Sequence, residues 1–174
     1  LAKYFNPVQG KGSEYRTLQK DKPNDPPRTT QIFIVGQEDG GHWMEFVATG
    51  DKDMKGQIVG KILMSVDGNK MKSTRVVFQQ PGQPAMEMTM DPSRAAAHSE
   101  ENAADWHLVG SESVTVPAGT YTADHYRNDT RDSDIWVSSK IAPFGLIKET
   151  SKHSTMELTK ELSGMTDQIK GPVQ

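Results

Sequence analysis

With 174 residues, the chain is long enough for one domain with its own core, and 34% hydrophobic and 25% charged residues keep it outside the disordered class. A net charge of −3 gives no electrostatic footprint for nucleic acid, and no run of Lys and Arg is long enough to meet anionic lipid headgroups. Cysteine is absent, which excludes disulfides, thiolate metal sites and cysteine nucleophiles together.

Residues 1–12 read as a loosely held entry, limited by Gly10 and Gly12. A first strand runs from Ser13 to Lys20, followed by a loop over residues 21–28 whose three prolines cannot donate to a ladder. Thr29 to Gln37 carries Ile32, Phe33, Ile34 and Val35 in succession, the mark of a central strand covered on both faces. From His42 to Thr49 the side chains alternate: His42, Met44, Phe46 and Ala48 share one face, and Trp43, Glu45 and Val47 the other. Ile58, Ile62, Met64 and Val66 alternate in the next strand, which Asp67-Gly68 closes as a hairpin into residues 71–80. After Pro81-Gly82, Met86, Met88 and Met90 alternate with Glu87 and Thr89.

One helix interrupts the strands: Asp91 caps it, Pro92 suits its first turn, and Ala95, Ala96 and Ala97 carry it toward Ala104. Trp106, Leu108, Val114 and Val116 then fall on one parity, Pro117-Ala118-Gly119 forms a tight turn, and Thr120 to Asn128 returns. Strands over residues 133–140, 143–152 and one carrying Met156, Leu158 and Leu162 complete the pattern, and the tail over 164–174 reads as a second loosely held end. About eleven short strands in one domain over residues 1–174, without a convincing βαβ unit, predict a mainly β fold built on a large antiparallel sheet, long enough to curl.

One stretch is more specific than periodicity. Residues 110–121 end in Val116-Pro-Ala-Gly-Thr-Tyr121, followed by Trp136-Val-Ser138 and Pro143-Phe-Gly-Leu-Ile-Lys148. This pattern, over residues 108–162, resembles uncharacterised bacterial envelope proteins similar to the LolA-like superfamily of periplasmic lipoprotein carriers. The resemblance implies a curved, half-open β-barrel with one or two covering helices, export to the periplasm, and an apolar concave face for acyl chains. Its motif residues are turn and strand residues, so they speak for fold rather than chemistry. The chain opens on Leu1 rather than Met, which leads to the expectation that an upstream segment has been removed, as a shortened form or with a signal peptide.

Catalytic signatures are missing. His42, His98, His107, His125 and His153 are dispersed without metal-ligand spacing, although His107 and His125 could meet across the Pro117 hairpin. There is no GxSxG elbow, no phosphate-binding glycine loop and no calcium loop. Sulfurs at alternate positions of one strand lie about 6.5–7 Å apart, so Met86, Met88 and Met90 read as an adaptable apolar face rather than a copper site. The expectation is therefore a non-enzyme without cofactor or metal, with a lipid or lipoprotein acyl chain as ligand in an apolar cleft. The cleft candidates are Phe46, Met64, Met88, Trp106, Trp136 and Leu158. An envelope interaction module without a small ligand, partnered by another envelope protein, is the alternative reading, and a hydrolase with an atypical site the third.

Overall fold

A computed structural model of the chain describes residues 2–49, 56–89 and 105–174. After a 3-10 turn at Ala2–Tyr4 come β1 (Gly12–Gln19), β2 (Arg28–Glu38), β3 (Gly41–Thr49), β4 (Ile58–Asp67), β5 (Lys70–Gln79) and β6 (Met86–Thr89). They are followed by β7 (His107–Val116), β8 (Gly119–Asn128), β9 (Ser133–Val137), β10 (Leu146–Thr150) and β11 (Ser154–Leu162). All eleven form one sheet in the order β6-β5-β4-β3-β2-β1-β11-β10-β9-β8-β7, with antiparallel neighbours throughout. The mainly β, antiparallel expectation holds. The helix expected over 92–104, and Met90, lie outside the described residues, so the covering helices of the half-barrel expectation are not among the elements described.

The sheet is two meanders joined where β1 pairs β11, which leaves β6 and β7 as its edges. Strand β2 is central, and both Phe33 and Ile34 on its opposite faces are fully buried, as the unbroken apolar run predicts. In the second meander the sheet rolls up: the Ala118 N–H in the β7–β8 turn donates to the Leu158 carbonyl of β11 at 3.1 Å. This brings Val114, Val116 and Ala123 into one cluster with Ile135, Val137, Leu146, Ile147, Leu158 and Tyr15.

Both chain ends are tied to the sheet, and each carries side chains that cover it. Tyr4 is buried in the rolled half, where its hydroxyl donates to Asp124 at 2.6 Å and lies 2.9 Å from that of Tyr126. At the other end, Met165 and Ile169 pack over Phe33, Val47 and Val59, and Ile169 also meets Trp43, Leu63, Val77 and Ala85. The tail is tied further by Val173, which bridges Ala85 in parallel. A correction concerns β7. A bulge between Leu108 and Gly110 reverses the alternation, so Leu108 is 57% exposed while Val114 is buried. No described helix is long and apolar enough to cross a membrane.

Candidate functional site

Cross-strand partners in an antiparallel sheet project to the same side, so register defines the faces. Across β3–β6 one row runs Phe46, Gly60, Phe78, Met86, and the next Met44, Ile62, Val76, Met88. A third row, His42, Met64 and Ser73, borders them. The two inner rows carry no charge across four strands. Met44, Phe46, Ile62, Met64, Val76 and Phe78 are half-buried, and Met86 and Met88 are 51% and 54% exposed. Isolated exposed apolar residues are ordinary, whereas these are contiguous across four strands.

The other side of the same strands is different. Its rows are Trp43, Leu63, Arg75; Glu45, Lys61, Val77, Glu87; and Val47, Val59, Gln79. Here the tail lies across the apolar side chains, and charge is paired: Arg75 bonds Glu38 at 2.7 Å and Glu87 at 2.5 Å, and its guanidinium lies over the Trp43 ring. The alternation of Met86 and Met88 with Glu87 thus separates an apolar face from an ion-paired one.

The six expected cleft residues divide into two groups. Phe46, Met64 and Met88 share the open face. Leu158 is fully buried in the rolled cluster, and Trp106 and Trp136 pack against it. Leu158 lies under the rolled hairpin, where it is core, and parity alone could not distinguish it from a groove residue. A pocket of about 340 Å³ opens beside β1–β4, lined by Thr17, Arg28, Thr29, Thr30, Ala48, Thr49, Gly56 and Ile58. None of the six candidates lines it.

The strongest polar constellation lies on β7–β9. His125 Nε2 is 2.7 Å from Asp134 Oδ1, and its Nδ1 is 3.1 Å from Glu112 Oε1. Its ring stacks on Trp136 with centroids 4.5 Å apart, and the Trp136 indole N–H donates to the same Glu112 oxygen. Arg127 holds the second Asp134 oxygen at 2.8 Å. Both nitrogens of His125 thus face carboxylates. His107 does not join it: its register partner is Arg127, and its Nδ1 stands 3.9 Å from Asp129. Among the described residues, no group of three His, Asp or Glu side chains is placed to hold a metal ion.

One unusual group went unremarked in the sequence. Glu45 is fully buried between Trp43 and Val47, where it accepts the Gln168 N–H at 2.7 Å. No N–H or O–H of the described residues donates to its Oε1. Burial, and then the neighbouring Asp167 carboxylate, push the Glu45 carboxyl up to about 8, against the Gln168 N–H and the charge of Lys61. The available signal was an acid alternating with Trp43 and Val47 on what proved to be the covered face.

No family model matches the chain, and no curated protein does. Among solved structures, it is similar to a candidate lipoprotein of Parabacteroides distasonis at 14% identity, covering 91% of this chain and 97% of that one, TM-score 0.42. A candidate exported protein with a YmcC-like fold from Bacteroides fragilis shares 11% identity, with 90% and 97% covered, TM-score 0.42. MucB, in complex with MucA(peri), shares 10% identity over 93% of this chain, TM-score 0.47; the chain spans 54% of that MucB chain.

Proposed function

We propose that the protein is a non-catalytic binding module of the bacterial envelope, and that its ligand is the acyl chain of a lipid or lipoprotein laid along the open face of β3–β6. The observation that carries this reading is the pair of uncharged rows Met44–Ile62–Val76–Met88 and Phe46–Phe78–Met86, half-buried on β3–β5 and exposed at β6, with no charged side chain in either row among the described residues. An acyl chain needs no hydrogen-bond partner along its length and gains roughly 0.8 kcal/mol per buried methylene before ordering costs. An extended peptide would bring backbone N–H and C=O groups that these side chains cannot satisfy. Methionine at the margin adapts to ligands of varied shape. The periplasmic location rests on the resemblance over residues 108–162.

The second reading, an envelope interaction module without a small ligand, is favoured by the openness of the same face: Met86 and Met88 are more exposed than an enclosed lipid site requires. Native mass spectrometry of freshly purified protein separates the two. A co-purified species of lipid mass supports the acyl-chain reading; protein carrying no lipid mass under conditions that preserve apolar complexes favours the interaction module.

A further inference from the structure

The tail crosses the covered face as an extended strap, and the sheet holds it chiefly through its backbone. The Met165 N–H donates to the Gly10 carbonyl at 2.9 Å and the Gln168 N–H to Glu45. The Gln79 side-chain amide both accepts the Lys170 N–H, at 2.9 Å, and donates to the Lys170 carbonyl, at 2.8 Å. At the far end, Gln174 exchanges bonds of 2.8 and 2.9 Å with Ala85 and Glu87 along the outer edge of β6. Only Met165 and Ile169 of this strap enter the apolar cores. The Lys61 ammonium holds Asp167 at 2.6 Å.

We propose that residues 164–174 form a detachable strap whose seat on the sheet is governed by the proton on Glu45. The ionisable groups facing that carboxyl are Asp167 on the strap and Lys61, its register partner on β4. Its partner on β2 is Phe33, and Val77 of β5 lies beyond Lys61 in the same row. Burial pushes Asp167 up, but bonding to Glu45 and Lys61 outweighs it and holds Asp167 below the usual carboxylate range. The proton of the pair therefore resides on Glu45, and an ionised Glu45 would be a second buried carboxylate beside the first. Release of the strap opens Glu45 to water and uncovers an apolar surface that includes Phe33, Trp43, Leu63 and Val77.

The direction follows from linkage. With the strap seated, Glu45 releases its proton near pH 8; with the strap released, it does so near the ordinary value of 4.5. The Glu45 contribution to seating is therefore fully present below 4.5 and is lost as pH rises to about 8. Each pH unit in that window favours release by up to about tenfold.

Hydrogen-exchange protection factors, which divide out the intrinsic pH dependence of exchange, test this on the full-length chain at the Gln168, Lys170 and Glu87 amides. Between pH 5 and 7 their protection should fall by up to about a hundredfold, while amides of β8 and β9 stay unchanged. Glu45→Gln should abolish that slope. If this variant fails to fold, Asp167→Asn, placed on the strap, should move the window to lower pH. Flat protection in the wild type, an unaltered slope in Glu45→Gln, or an unmoved window in Asp167→Asn would each overturn the proposal.

Discussion

The ring of Phe46 lies over Gly60, its register partner on β4, so closely that a Cβ at position 60 would stand 2.3 Å from Phe46 Cζ. An aromatic ring laid over a cross-strand glycine fills the gap in a row of side chains, here between Phe46 and Phe78. Gly60→Ala must push the ring off the sheet. The expected cost is about 1–3 kcal/mol, as for other overpacking changes, with a matching loss in urea midpoint. An unchanged midpoint would mean that Phe46 is free to move and does not hold the open face in shape.

Met86 and Met88 should tolerate what Leu158 cannot. Because both methionines are more than half exposed, the Met86→Glu/Met88→Glu pair should change stability by no more than about 0.5 kcal/mol per site. Leu158→Ala leaves a cavity in the rolled cluster and should cost about 2–5 kcal/mol. Thermal melts of the two variants side by side check this ranking, and equal losses would contradict the separation of open face from core.

Tyr4 ties the chain's start to the second meander through Asp124 and Tyr126. Tyr4→Phe keeps the edge-to-face ring contact with Tyr126 and removes the hydroxyl, for an expected loss of about 1 kcal/mol. Hydrogen bonds from Tyr4, and then from Ser111, hold the Asp124 carboxyl below its ordinary value of 3.8. That contribution is present above pH 3.8 and is lost as pH falls through the lower folded value, so wild type and variant should converge in acid. Denaturation curves at pH 7 and pH 3 measure it.

Gly119 follows the Pro117-Ala118 turn with φ at +144°, and Val116 is its register partner. A β-branched residue there meets a backbone angle that L side chains rarely adopt, so Gly119→Val should cost roughly 1 kcal/mol or more. A melting temperature equal to that of the wild type would show that the turn can relax without glycine.

The strands themselves and most of their limits were legible because alternation and turn residues are local signals; their order in the sheet, with β1 against β11, was not. Phe33 and Ile34 announced a doubly covered strand, and Asp67-Gly68 and Pro117-Ala118 marked hairpins. What long-range packing decides was not legible. Nothing near Leu158 in sequence tells that the β7–β8 turn folds back on it. The shift at Leu108 arises from a bulge that leaves no pattern beyond Gly110. The tail has no period of its own because it is held by side chains of other strands: Glu45, Gln79 and the apolar faces beneath Met165 and Ile169. The candidate site was half legible for the same reason. Alternation put Phe46, Met64 and Met88 each on one parity of its own strand, and only register showed that the three parities coincide.

The most direct measurement of the central claim is a fluorescence titration of the wild type and the Met86→Glu/Met88→Glu variant with a dansylated fatty acid. The account predicts saturable binding to the wild type at a fixed stoichiometry, weakened at least tenfold in the variant while its melt stays intact. Absence of saturable binding to the wild type, or undiminished binding to the folded variant, would contradict it.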